Sequence, residues 1–266
     1  MPVRAHNIEV GKQWSAGGEA YNEISAQIAD SIEHAVRVLD PKPGERILDL
    51  ATGTGWTARQ VHAAGADTVG VDIAADKVEA AKRLSDPAIR FGVDDAEDLS
   101  FETDSFDGVI STFGIQFVTK PEDAAAELAR VTKPGGRIAL TLWTPDSTVA
   151  DMFKIFQGYK TAPADPASAP PSPFAWGKQD RIKELLGDTF DLNVERGTSV
   201  FVTTDAAEAW QNFRNNFGPS KLLADTLSPE RAAALESEFT DFYAGFEEDG
   251  RVRCERTYLL VSGTRR

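Results

Sequence analysis

Ile47-Leu48-Asp49-Leu50-Ala51-Thr52-Gly53-Thr54-Gly55-Trp56 carries a short apolar run straight into a glycine-rich turn. Residues 47–50 read as a buried strand, 51–55 as a tight loop, and a helical stretch follows over about 56–64. A loop between a buried strand and a helix admits a ligand against its backbone only where side chains are absent. Gly53 and Gly55 supply that clearance, and the helix N-terminus beyond them favours negative charge. Gly53-Thr54-Gly55-Trp56-Thr57-Ala58 also comes close to the dinucleotide pattern GxGxxG/A, so a nicotinamide- or flavin-dependent oxidoreductase stands as a rival reading.

The strand-then-helix pattern repeats downstream. Residues 68–71 read as a second strand followed by a helix over about 75–84, and 89–93 as a third strand. A fourth strand is expected at 106–111, a helix with proline in first position at 121–131, and a fifth strand at 138–143 after the turn Pro134-Gly135-Gly136. This alternation predicts an α/β fold, a parallel sheet with helices on its faces. Upstream, Ile24, Ile28, Ile32, Ala35 and Leu39 form one apolar stripe and predict a helix over about 20–39.

Beyond Trp143 the rhythm changes. Residues 163–173 hold five prolines in eleven positions and read as a long surface loop, either a passive connector or a lid over a substrate. A short helix near 180–186 and a strand near 194–202 come next. Two helices then open at Thr204 or Asp205, the latter with Glu208 in capping-box position, and at Ser228-Pro229, before a last strand at 257–262. The expected organisation is an N-terminal helical segment (1–40), a core of alternating strands and helices (41–145), the proline-rich loop with a helix and the sixth strand (146–202), a helical insertion (203–250) and the final strand (251–266).

Composition narrows the function. A chain of 266 residues, 41% apolar, can bury the core of one large domain. Its 28 Lys and Arg against 42 Asp and Glu give a formal charge of -14, which repels phosphate backbones and anionic membranes, so neither nucleic acid nor a membrane is an expected partner. Cys254 is the lone cysteine and His6, His34 and His62 are scattered, so no disulfide, zinc spacing or metal site is expected. The N-terminal residues lack the apolar run of a signal peptide and no stretch reaches the roughly 18 consecutive apolar residues of a span; a cytoplasmic protein is expected.

Of three acidic features, two separate the rival ligands. Asp72, at the end of the second strand, suits the ribose hydroxyls in either reading. Asp49 lies four residues before Gly53, where it suits a cationic amine or ordered water and would repel a pyrophosphate. The ligand is therefore expected to be cationic or zwitterionic. In Val93-Asp94-Asp95-Ala96-Glu97-Asp98-Leu99, Asp95 could accept from an exocyclic adenine amine while the Ala96 amide donates to the ring; a solvated turn is the plain alternative.

With these motifs the chain resembles the class I S-adenosylmethionine-dependent methyltransferases, in particular the small-molecule enzymes called methyltransferase type 11 and those of quinone biosynthesis. The resemblance is close over 14–143 and looser beyond. It rests on ILDLATGTG (47–55), VGVDIAADKVEAAK (69–82), DDAEDLSFETDSFDGVIS (94–111) and ELARVTKPGGRIAL (127–140). It implies a Rossmann-like seven-stranded sheet in the order 3-2-1-4-5-7-6, its last strand antiparallel, with helices on both faces, an N-terminal helical arm and a helical cap between the last two strands. It implies S-adenosylmethionine as cofactor: the loop with Asp49, Ala51, Gly53, Thr54 and Gly55 at the methionine moiety, Asp72 at the ribose, Ile73 on one adenine face, and Asp95 with Ala96 at the adenine edge. Ser111, Thr112 and the residues to Gln116 would face the sulfonium and the acceptor, and Tyr21, with Trp14 upstream, would close over the methionine end. Ala51 departs from the family's usual glycine, which puts the loop's detailed conformation in question.

The implied chemistry is in-line displacement of an activated methyl by a small-molecule acceptor. It needs alignment and exclusion of water, at most one base, and no metal. Gln116, among Phe113, Ile115 and Phe117, is the candidate for orienting the acceptor; a turn residue with no such role is the alternative. Trp14, Phe113, Phe117, Trp143, Trp176 and Trp210 complete the candidate pocket. The aromatics Trp210, Phe213, Phe217, Phe239, Phe242, Tyr243 and Phe246 read as core or as a cage. Such a pocket suits a ring-bearing or alkylated acceptor, or a cationic amine. A non-catalytic S-adenosylmethionine binder and an NAD(P)-dependent oxidoreductase remain as alternatives, an RNA methyltransferase is disfavoured by charge, and the chain is expected to be a monomer or homodimer.

Overall fold

The computed structural model describes residues 3–161 and 171–266. Strand β1 (Arg46–Leu50) is buried along four of its five residues and lies parallel between β2 (Asp67–Asp72) and β4 (Phe106–Thr112). A strand covered on both faces cannot alternate polar and apolar residues, which is why Ile47 to Leu50 reads as a run. β3 (Arg90–Val93) joins β2, and β5 (Thr132–Trp143) joins β4. β6 (Phe190–Thr203), the two-residue β7 (Glu247–Glu248) and β8 (Arg251–Arg265) complete the sheet, in the order β3-β2-β1-β4-β5-β8-β6 with β7 on β8. The expected order and its antiparallel last strand are both present. The hairpin partner β7 brings the strands among the described residues to eight.

The two faces carry separate apolar clusters. Against one pack α6 (Pro121–Val131) and α8 (Gln179–Leu186), burying Leu48, Val109, Leu128, Ile182 and Val261. Against the other lies α3 (Ala29–Leu39), which buries Ile32, Ala35 and Leu39. That cluster continues into α7 (Thr148–Tyr159) and the cap helices α9 (Ala206–Asn216), α10 (Gly218–Thr226) and α11 (Pro229–Ala244). Asp205 and Ser228 cap α9 and α11 as their spacing predicts, accepting from the Glu208 and Arg231 amides.

Several expectations change. The stripe at 20–39 is broken into α2 (Tyr21–Ala26) and α3. At the break the Gln27 carbonyl accepts from Arg256, and Ile28 takes a non-helical conformation. Tertiary bonding there outweighs a continuous apolar pattern. α1 (Ile8–Ser15), α7 and α10 were not evident in the sequence, and β6 and β8 extend well beyond their apolar centres because each strand satisfies the other through fourteen residue pairs. Pro134-Gly135-Gly136 interrupts the register inside β5 instead of preceding it. Most of the proline-rich segment lies outside the described residues; Pro173 opens a 3-10 turn.

Candidate functional site

The carboxyl ends of β1, β2 and β4 open into one continuous cavity. α4 (Trp56–Ala63) starts above β1 without a side-chain cap, and Gly55, at φ +86°, makes the turn into it. Gly53 has φ +57°, and a Cβ there would meet the Tyr21 ring at 3.5 Å. Ala51 has φ +58°, so the loop keeps a left-handed conformation at the position where the family's glycine is replaced. The departure costs strain and leaves the turn in place.

Asp72 ends β2 and holds the loop. Its two carboxylate oxygens accept from the Gly53 and Ala74 amides, each at 2.8 Å. Asp49 lies a layer below, fully buried, and one oxygen accepts from the Thr52 hydroxyl at 2.5 Å while the other has no partner. Burial pushes its carboxyl up to about 7; the bond from Thr52, the Ala58 amide and the Arg59 charge oppose that shift, and Asp72 adds to it. A buried acidic oxygen without a donor suits a cationic group of a ligand.

The N-terminal arm closes one side. Tyr21, Trp14 and Asn7 line the cavity, and Asn22 beside Tyr21 accepts from the Trp56 indole at 2.7 Å and the Thr54 hydroxyl at 3.2 Å. Lys77 reaches in from α5 (Ala75–Leu84) under Tyr21 and Trp14; burial pushes its ammonium down to about 8, against the pull of Asp72. Farther along, Asp95 lines the cavity, but its oxygens already accept from the Arg4 amide and the Asn7 side chain, at 3.1 and 3.0 Å. The arm thus reaches the same carboxylate that the adenine amine would use.

Tyr21, Ala51, Gly53, Asp72, Ile73, Asp95, Ala96 and Thr112 line the cavity, together with Trp14, Phe113, Phe117 and Trp143. Asp49, Thr54, Gly55 and Ser111 stand behind that lining. Ser111 accepts from the Ile115 amide at 3.2 Å. Three pocket candidates are corrected. Gln116 is buried with its Oε1 accepting from the Trp143 amide at 2.7 Å, a brace between the turn after β4 and the end of β5, outside the cavity wall. Trp176 is buried on the opposite face of the sheet, and Trp210 packs against Phe239 inside the cap at 5.3 Å. Both indoles are drawn into core because those apolar clusters need volume more than the pocket needs walls.

The far end is lined by Phe113 and Trp143, stacked with centroids 3.6 Å apart, by Phe213, Phe217 and Tyr243 of the cap, and by Val149, Met152 and Phe153 of α7. Lys77, Arg256 and the α7 residues escaped the sequence reading. Lysine in the otherwise amphipathic α5 looks like a surface residue until the arm covers it, and Arg256 continues the buried alternation of Val252 and Cys254 in a part of β8 that the expected strand at 257–262 did not include. None of the three histidines lines this cavity.

Residues 48–140 match the methyltransferase domain family Methyltransf_11. The uncharacterized protein Rv1405c of Mycobacterium tuberculosis is 30% identical over 262 residues, covering 95% of this chain and 93% of its own. A demethylmenaquinone methyltransferase of Clavibacter sepedonicus is 43% identical over 106 residues, 39% of this chain and 43% of that one. Among solved structures, the YcgJ protein of Bacillus subtilis superposes with a TM-score of 0.61 at 19% identity, covering 89% of this chain and 98% of that one. The chain belongs to the class I S-adenosylmethionine-dependent methyltransferases. It is a methyltransferase whose cofactor is S-adenosylmethionine.

Proposed function

We propose that this protein transfers a methyl group to a small, largely apolar acceptor bound under the cap. The observation that carries the reading is the continuity of one cavity, from Asp72, Ile73 and Asp95 at one end, past Gly53 and Thr112, to the aromatic wall of Phe113, Trp143, Phe213 and Phe217. A relative named for demethylmenaquinone supports an acceptor of small-molecule type.

The residues present fit the cofactor. Gly53 leaves backbone clearance, Asp72 offers the ribose hydroxyls an acceptor, Ile73, Asp95 and Ala96 an adenine face and edge, and Asp49, buried behind that lining with one oxygen unpartnered, a carboxylate that attracts a cationic amine through space. When bound, S-adenosylmethionine supplies an electrophilic sulfonium methyl for in-line displacement. The chain's own contribution is alignment and dryness: the Phe113 and Trp143 pair fixes one wall, and Trp14 and Tyr21 shield the cofactor end from water. With no imidazole on the wall, an acceptor with an already nucleophilic oxygen, nitrogen, sulfur or carbon suits this site.

The deciding experiment is calorimetric titration with S-adenosylmethionine, S-adenosylhomocysteine, NAD and NADP at fixed salt. Micromolar-range binding of the adenosyl ligands with silence from the dinucleotides is expected, and Asp72→Ala should weaken it by about 1–3 kcal/mol. Dinucleotide binding would replace this reading with the oxidoreductase one. Failure of every acceptor in a broad turnover screen, with cofactor bound, would leave a binder in place of an enzyme.

A further inference from the structure

Arg256, on β8, is the charged side chain at the acceptor end of the cavity that the reading above does not use. It is 4% exposed and lines the cavity with its neighbour Tyr243. Its guanidinium carbon stands 5.7 Å from the Trp143 ring and 5.4 Å from the Phe201 ring. Trp143 in turn stacks on Phe113, the residue that follows β4 on the same aromatic wall. The cation therefore sits one aromatic layer beyond the position where the sulfonium and acceptor are expected to meet.

Its bonding is incomplete. Both of its hydrogen bonds come from Nη2, to the Gln27 carbonyl and to the Ser199 hydroxyl, the latter at 3.0 Å. Both partners are neutral. Asp30, the carboxylate that acts on it through space, is committed to the Ser199 hydroxyl and the Val200 amide. Nε is buried with no partner, and so is Oε1 of Gln27, which lines the same end of the cavity. Anchoring the break between α2 and α3 accounts for Nη2 and leaves the rest of the fork unexplained. A buried guanidinium stays protonated, and an unmatched donor on it is costly unless a ligand supplies the acceptor.

We propose that Arg256 selects acceptors bearing an anionic oxygen, such as a carboxylate or phenolate, on an aromatic or apolar body. This rests on the methyltransferase reading of the same cavity and deepens it. A permanent cation at the acceptor end disfavours a cationic amine, which the aromatic walls alone would have welcomed. Charge-assisted bonds from a guanidinium to an anionic oxygen, made in a water-poor pocket, are strong enough to discriminate an acid from its uncharged ester. Arg256 is a specificity-determining residue in this scheme and takes no part in the displacement.

The test uses the full chain saturated with S-adenosylhomocysteine and matched probes: 4-hydroxybenzoate and 3-(4-hydroxyphenyl)propanoate, each against its methyl ester. Calorimetry on the wild type should show at least one acid binding about tenfold tighter than its ester, a difference of about 1.4 kcal/mol. Arg256→Met should abolish the preference and Arg256→Lys retain part of it, with S-adenosylhomocysteine affinity unchanged in both. Wild-type protein that favours neither acid, or an Arg256→Met protein that keeps the preference, overturns the proposal. Should Arg256→Met fail to fold, the wild-type ratio and the Lys variant decide. Wild-type protein that fails to bind S-adenosylhomocysteine overturns the methyltransferase reading itself.

Discussion

The Lys77 ammonium lies 3.2 Å from the centre of the Tyr21 ring, on the floor of the cofactor cavity, with the Trp14 ring 4.7 Å away. Lys77 is 2% exposed, and burial lowers its proton affinity to about 8 from the ordinary 10.5. The rings and Asp72 return part of the lost hydration. They do not return all of it, since the folded chain holds this proton less tightly than the unfolded one does.

Lys77→Met should therefore stabilise the protein at pH 7, by roughly 1–3 kcal/mol in urea denaturation. The folded-state value is depressed, so the penalty is complete below about pH 8 and fades as the pH climbs toward 10.5. The gap between variant and wild type should shrink over that interval. A variant no more stable than wild type at pH 7 would mean that the aromatic contacts offset the whole cost of burial.

Ala51 supplies a second stability prediction. Its φ of +58° places a Cβ where left-handed backbone is strained by about 1–2 kcal/mol, and Ala51→Gly removes the strain while adding some unfolded-state freedom. A net gain of about 0.5–1 kcal/mol is expected, with S-adenosylhomocysteine affinity preserved. Loss of stability would show that the methyl's packing near Gly114 outweighs the backbone strain.

Ala51 also marks how far the sequence can be read. The loop and the acid ending β2 are legible because each depends on local pattern, an apolar run, glycines and a carboxylate at fixed spacing, whereas the strand order followed from the family resemblance that those motifs carry. Trp176, Trp210 and Gln116 were misplaced because an aromatic or amide says nothing about which face of the sheet receives it. Arg256 and Lys77 were invisible for the reverse reason, their burial being created by the arm and cap, segments distant in the chain. The split of α2 from α3 belongs with them, because the bond that marks it comes from a residue 229 positions away.

Asp49 should give cofactor binding a pH profile. Burial raises its carboxyl to about 7, so at pH 6 it is mostly protonated and offers a ligand ammonium no charge. Affinity for S-adenosylhomocysteine should rise between pH 6 and 7.5, by up to about tenfold, and the rise should vanish in Asp49→Asn. Lys77, whose ammonium is lowered to about 8, begins to titrate by pH 7.5 in both proteins, so the difference between wild type and Asp49→Asn isolates Asp49, while Arg59 stays charged throughout. Because the folded-state value is raised, wild-type stability should fall as the pH rises from about 4 toward 7, and the variant's should not. An identical binding profile in both proteins would place the amine elsewhere.

Two kinds of aromatic meet around the acceptor end, one on α9 of the cap and one on α7. Trp210 is buried against Phe239 behind the pocket wall, whereas Phe153 lines the cavity and touches it through Phe117 and Phe217, with centroids 5.6 and 6.0 Å away. Removing the first empties a packed interior, so Trp210→Ala should cost about 3–5 kcal/mol in denaturant unfolding and leave the ranking of acceptors as it was. Removing the second enlarges a wall, so Phe153→Ala should change which acceptors turn over, at a smaller cost in stability and with cofactor affinity intact. Measured together, unfolding free energy and relative kcat/KM across one acceptor panel discriminate the two. If Trp210→Ala reorders the panel while the protein stays stable, the pocket reaches deeper into the cap than its present walls, and the boundary between core and site must be redrawn at α9.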